Sequence, residues 1–214
     1  MLDLMYRGGP LMWLILLNAI VAVGVFLERL LHYHRAQINV TDFVNGIRNL
    51  LQRGNVIEAI ALCDETPGPV AQVVKAGIAH HDRVREEMRE AIQDVARHGV
   101  ARLERRLTVL ATIAQVTPLI GFLGTVLGMI QMFQVIQLAQ FPSPGQLAGG
   151  VWQALLTTAG GLVVAVPAYV AYNYLVTRVQ NLVLDMEQAA NDIVAYFGGR
   201  EAGETRPEPV EAVK

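Results

Sequence analysis

Apolar residues are distributed along this chain in two ways. In some stretches they run almost without interruption. In others they recur at helical spacing among charges. The longest uninterrupted stretch covers residues 107–177, 71 consecutive positions without Asp, Glu, Lys, Arg or His. A hydrocarbon core about 30 Å thick takes roughly 20 helical residues to cross, so this run predicts two crossings and a turn. The turn falls at residues 140–146 (Gln-Phe-Pro-Ser-Pro-Gly-Gln), where two prolines and a glycine interrupt the helix. A third crossing is predicted from the apolar run at residues 10–26, between Arg7 and Glu28. No Ala-x-Ala-like site follows that run, which reads as a retained helix rather than a cleaved leader.

The amphipathic stretches predict helices outside the membrane. Phe43, Ile47, Leu50 and Leu51 share one helix face, with Thr41-Asp42 as the expected cap and Gly54 as the stop. A short helix is expected at 56–63 and another at 70–81, separated by Pro67-Gly68-Pro69. From about Val84 a long charged helix is expected to continue into the second span as one rod, with Gly99 its only weak point. After Arg178 the series Val179, Leu182, Val183, Met186, Ala189, Ala190 and Ile193 extends the third helix to a stop at Gly198-Gly199. The resulting plan is an outer segment 1–9, a first span 10–27, a helical region 28–106, a second span 107–138, a turn 139–147, a third span 148–176, a helical extension 177–199 and a disordered tail 200–214. This is an all-α membrane protein with three transmembrane helices, the second and third extending into the cytoplasm.

Composition agrees, and charge orients the plan. The 214 residues are 53% hydrophobic and 17% charged, with mean hydropathy +0.36, too apolar for an ordinary soluble domain. Residues 27–106 hold 12 of the 17 Lys and Arg and all five His, which places that region in the cytoplasm and the N-terminus and 139–147 turn outside. Net charge is only −2, so nothing points to nucleic acid. The single Cys63 reads as a small buried apolar residue, and no metal or other cofactor is expected.

A plain anchor needs no polar atoms in the bilayer, yet these spans carry several. In the second span Gly121, Gly124, Thr125 and Gly128 form one narrow face of small residues, which favours close helix contact over a pore. Thr125 alone would bond back to the carbonyl of residue 121. In the third span Thr157, Gly161 and Ala165 form a second small ridge, and Gln153 needs an amide partner. Pro118 and Pro167 each free a carbonyl one turn earlier and are candidate kinks. No group inside the spans titrates near neutral pH, so any proton crossing here requires an acid from another chain or ordered water.

Segments 117–130 (Thr-Pro-Leu-Ile-Gly-Phe-Leu-Gly-Thr-Val-Leu-Gly-Met-Ile) and 154–168 (Ala-Leu-Leu-Thr-Thr-Ala-Gly-Gly-Leu-Val-Val-Ala-Val-Pro-Ala), followed by Tyr172-Asn173, closely resemble the second- and third-span signatures of the ExbB/TolQ/MotA proton-channel family. Three spans and the chain length favour its ExbB/TolQ branch over the flagellar branch. The resemblance implies a bacterial inner-membrane homopentamer whose second and third helices line a lumen. Within it would stand the single helices of an ExbD/TolR-like partner, each with a membrane Asp, and a TonB/TolA-like protein would receive the work. It also implies lumen hydroxyls at Thr125 and Thr158, with Thr157 and Gln153 nearby on the proton pathway. One departure is Gln153, where ExbB and TolQ proteins commonly carry Glu. Its amide cannot exchange a proton, and it lies ~140° from Thr158 on an ideal helix. Energising TonB-dependent outer-membrane transport is the leading reading, and the competing ones are a TolQ-like subunit for envelope maintenance, another Tol- or gliding-type motor, and a non-conducting scaffold. No set of side chains suited to catalysis lies near the membrane, so the chain is not read as an enzyme.

Overall fold

The computed structural model describes residues 8–36, 38–138 and 143–204. Residues 139–142 of the predicted outer turn, the first seven residues and the end of the tail lie outside the described residues. Seven α-helices and no strand occur among the described residues: α1 (Pro10–Ala36), α2 (Val40–Gln52), α3 (Val56–Glu65), α4 (Pro69–Ala79), α5 (Arg85–Glu104), α6 (Leu107–Leu138) and α7 (Pro144–Glu204). The chain divides into two compact units, Met1–Leu31 with Glu104–Thr177, and His32–Leu103 with Arg178–Lys214.

The first unit contains the apolar stretches. Three helices are long and apolar enough to cross a membrane, and at most 28% of any spanning window is covered by the protein itself. Phe122, Leu155, Val163 and Val170 are among many large apolar side chains left exposed, as expected where lipid or other chains are the surroundings. Pro144 occupies the first position of α7, where a missing N–H costs nothing, and the Leu147 N–H reaches the Ser143 carbonyl at 3.3 Å. Helix α7 therefore begins before residue 148. Pro118 and Pro167 both lie inside continuous helices.

The second unit has a core of the soluble type. Val40, Val44, Ile47 and Leu51 bury one face of α2, and α4 is apolar on nearly every side, with Val70, Ala71, Val73, Val74 and Ile78 fully buried. Met88 and Ile92 of α5 and Met186, Ala189, Ile193 and Phe197 of α7 close around them. Gly77 is required there, because a Cβ would stand 2.8 Å from Ile193 Cγ2.

Three local expectations change. The cap of α2 is Asn39, whose side chain accepts from the Asp42 N–H at 3.4 Å, just ahead of the expected Thr41-Asp42. Gly54, at φ 77°, does end the turn after α2. The expected rod runs from Arg85 to Leu138 with a two-residue turn at Arg105-Arg106, and Arg106 pairs with Glu28 of α1. Gly99 is not the weak point, since its Cβ position faces Met186 Cε at 3.3 Å within the core. Finally, α7 continues through Gly198-Gly199 to Glu204, so the helix runs beyond 177–199 into the segment read as tail. Neither glycine takes the left-handed conformation that would turn the chain.

Cys63 is buried, and burial first, then the Asp64 charge, push its thiol up from 9.0 to about 11, against a smaller opposing effect of Lys75. A thiol that titrates near 11 instead of 9.0 holds about a hundredfold less thiolate at pH 8, so alkylation of the native protein should be slower by about that factor. Because the folded value is raised, the associated stability is present below pH 9 and is lost as pH rises through about 11. Iodoacetamide labelling followed by mass spectrometry checks this. Equal labelling of native and denatured chain at pH 8 would refute it.

Candidate functional site

Several polar atoms of the spanning helices meet at one seam in the first unit, where α6 lies against α7. Its geometry is set by missing side chains. A Cβ on Gly121 would stand 3.0 Å from the Thr157 carbonyl oxygen and 3.2 Å from Thr158 Cα. One on Gly128 would stand 2.7 Å from the Gly150 carbonyl, and one on Gly161 2.9 Å from that of Thr117. These are backbone atoms, which cannot move aside as a flexible side chain does. The helices therefore approach main chain to main chain, the arrangement small-xxx-small faces permit. Thr157 is 1% exposed and fills the space above Gly124, with its Cβ 2.6 Å from where an alanine's Cβ would be. Its hydroxyl donates within α7, with the carbonyls of Ala154 at 3.0 Å and Gln153 at 3.1 Å as acceptors. Ala165 is buried on the same side of α7 as Thr157 and Gly161.

Thr125 and Thr158 meet across the seam. The Thr158 hydroxyl donates to the Gly121 carbonyl of the facing helix at 3.0 Å. The two hydroxyls are also in direct hydrogen-bond contact with each other. Each hydroxyl has one proton, so with that of Thr158 on Gly121, Thr125 is the donor between them. The back-bond from Thr125 to Gly121 is long, 3.5 Å, and so is the alternative to the Ala154 carbonyl at 3.4 Å. The interhelical bond has displaced the intrahelical one expected of a lone membrane threonine. Both threonines are half-buried, and the Thr125 oxygen keeps its acceptor lone pairs free of any donor among the described residues.

Helix α1 touches the pair α6–α7 through polar contacts that the sequence pattern did not announce. Asn18 Nδ2 donates to Thr117 Oγ1 at 3.4 Å, and that fully buried hydroxyl donates to the Ile113 carbonyl at 2.6 Å. Asn18 is the one amide in the run 10–26, and a single amide in lipid must find a partner, which is the signal that could have exposed it. Gln153 finds its neighbour at the start of α1. Gly9, at φ 71°, leaves room for its carboxamide, and a Cβ there would stand 2.6 Å from Gln153 Nε2. At the other end of α1, Glu28 pairs with Arg106 and lies 3.9 Å from Arg29. No group of three or more His, Cys, Asp or Glu able to hold a metal occurs among the described residues.

The MotA/TolQ/ExbB proton channel family matches residues 65–188, more than half of the chain and all of the seam. The chain belongs to this family. A biopolymer transport protein ExbB homolog of Methanothermobacter thermautotrophicus is 26% identical over 84% of this chain, which spans 64% of that relative's length. The biopolymer transport protein ExbB of Neisseria meningitidis is 29% identical over 84% of this chain and 87% of its own. The Tol-Pal system protein TolQ of Haemophilus influenzae is 42% identical over a shorter region, 39% of this chain and 36% of its own. Helix α1, with Asn18 and its contact to Thr117, lies outside the region the proton-channel family matches.

The contacts rank the glycines of this family member. Gly124→Ala forces a methyl onto Thr157 and should cost about 1–3 kcal/mol, as overpacking does. Gly24→Ala in α1 has nothing within 4 Å of its new methyl, and should be neutral or stabilising by up to ~1 kcal/mol. Thermal unfolding of both variants in one detergent is the measurement. Equal loss at the two sites would mean that the α6–α7 seam is not the limiting contact.

Proposed function

We propose that this chain is the pore-forming, stator-like subunit of an ExbB–ExbD-type motor driven by the proton-motive force in a bacterial inner membrane. In this reading five copies surround the single helices of an ExbD-like partner, the N-terminus is periplasmic, the C-terminus is cytoplasmic, and a TonB-like protein receives the work. Family membership and relatives named ExbB support it. The observation that carries it is the Thr125–Thr158 hydroxyl pair, within spans that hold no group titrating near neutral pH.

The hydroxyl pair suits a carboxyl group supplied by a partner. A protonated acid donates to the free lone pair of Thr125. An ionised one needs a donor, which Thr125 supplies by turning its O–H away from Thr158. Such an exchange gives up one interhelical hydrogen bond, worth about 0.6 kcal/mol on average in a membrane. Neither protonation state is trapped, because no fixed charge faces the acid. Thr157 serves the seam beneath this pair, and Gln153 stands at the outer end as a hydrogen-bonding group that does not relay protons.

A TolQ-like role in envelope maintenance is the second reading, favoured by the 42% identity to the TolQ of Haemophilus influenzae over 83 residues. Deletion separates the two readings. Loss of growth on scarce iron chelates marks the TonB-type role, and detergent sensitivity with septation defects marks the Tol type.

Thr158→Val removes the hydroxyl with little change of shape. It should abolish energised uptake while the purified complex keeps five copies with two of a single-span, Asp-bearing protein in native mass spectrometry. A variant that assembles and still energises uptake at the wild-type level would favour the scaffold reading. So would wild-type protein that purifies without any acidic partner.

A further inference from the structure

The second unit contains a concave site that the seam does not use. It is a pocket of about 370 Å³ between the end of α1, the turn into α4, and the end of α5. His32 and Arg35 line it from α1, Arg102 and Leu103 from α5, and Gln72 from α4, and no carboxylate lines it among the described residues. Arg35 and Arg102 form no ion pair among the described residues, whereas Arg106, Lys75 and Arg83 each pair with an acid. The floor is close-set. Gly68, at φ 116°, brings the turn against α1, and a Cβ there would stand 3.0 Å from the Ala36 carbonyl oxygen. Gly68 is also the N-cap of α4 and offers no side-chain cap, and Pro69 follows it, so the first amides of that 11-residue helix have no side-chain acceptor.

Every polar side chain in this pocket can donate and two carry guanidinium groups, while nothing in it is anionic. Guanidinium forks match the oxygens of phosphate in pairs. Position along the chain narrows the source. Arg102 stands five residues before Leu107, where the charge-free run begins, and His32 six residues after Phe26, where the first apolar run ends. Along the continuous helix α1, at about 1.5 Å per residue, His32 is offset from Phe26 by roughly 9 Å and Arg35 by roughly 14 Å, and a long arginine side chain reaches back over part of that distance. The headgroup layer is about 6 Å deep beyond each face of the hydrocarbon core. Leu31, the residue before His32 on the same helix, is 61% exposed and adds apolar surface next to the pocket-lining segment.

We propose that this pocket binds a phosphate ester, with Arg35 and Arg102 as charge partners and Gln72 as a neutral donor. The ester is the headgroup phosphate of an anionic phospholipid or a soluble phosphate monoester, and the two are separable by experiment. The full-length chain in detergent is titrated with short-chain phosphatidylglycerol, with phosphatidylcholine of the same chain length, and with glycerol 3-phosphate, and bound adducts are counted by native mass spectrometry. Phosphatidylglycerol should bind at one per chain and more tightly than phosphatidylcholine. The double variant Arg35→Gln/Arg102→Gln should weaken it by about tenfold or more, as loss of two charge-assisted contacts implies. Arg89→Gln, on α5 but outside the pocket, should leave binding unchanged. Arg35→Lys/Arg102→Lys keeps the charge but loses the forks and should fall between, which covers the case in which the Gln pair does not fold. Displacement of the lipid by equimolar glycerol 3-phosphate identifies a soluble ester as the ligand, and lack of displacement identifies the headgroup. Binding of neither compound, or equal binding by the wild type and the Gln or Lys pair, overturns the proposal.

Discussion

The first unit depends on contact between two main chains. In water a helix pair is driven together by apolar burial, but in lipid that drive is absent, because the acyl chains are as apolar as leucine. What remains is dispersion and hydrogen bonding, both of which fall steeply with distance. Gly121, Gly128 and Gly161 remove the atoms that would hold α6 and α7 apart, and Thr157 fills the remaining space above Gly124. Only at this separation can the Thr158 hydroxyl reach the Gly121 carbonyl of the facing helix at 3.0 Å. Close approach and hydroxyl chemistry are therefore a single feature. A residue larger than glycine would both loosen the contact and break the hydrogen-bond chain that makes the site polar.

The second unit follows a different physics. Helices α2 to α4 are short and are capped or turned by Asn39, Gly54 and Gly68, and the unit gains stability by withdrawing Ile47, Val70, Val74, Ile78 and Ile193 from water. α4 is apolar on nearly all sides because it lies in the middle of that core. Charge appears where the two kinds of environment meet along the sequence. Arg106 pairs with Glu28, and Arg35 and Arg102 line a pocket that has no acid among the described residues. The same residue type thus serves as a structural ion pair in one place and, in our proposal, as an anion receptor in another.

Much of this was legible from side-chain chemistry alone. The spans were evident because burial in lipid excludes charge over a length that the bilayer dictates. The small-residue face was evident because Gly121, Gly124 and Gly128 recur at helical spacing, and Gly54 marked the end of α2. Other features were not legible because they depend on a distant partner. Nothing local at Arg106 announces that it pairs with Glu28, 78 residues away. Glycine is compatible with helix as well as turn, so Gly198-Gly199 could not by itself announce that α7 continues. Asn18 drew no attention in an apolar run until Thr117 of α6 lay beside it.

Local chemistry was enough for the number of spans, the helical class, the two kinds of helix and the small-residue ridges. Each of these rests on periodicity along the chain or on a free energy of transfer that every residue carries with it. Which polar atoms share protons was settled only by packing in three dimensions. A threonine in a membrane helix has an intrahelical carbonyl always within reach, and sequence reasoning assigns it that bond. Whether Thr125 instead donates its proton to Thr158 depends on a separation between two helices, and tenths of an ångström set by the atoms that Gly121 and Gly161 lack make the difference.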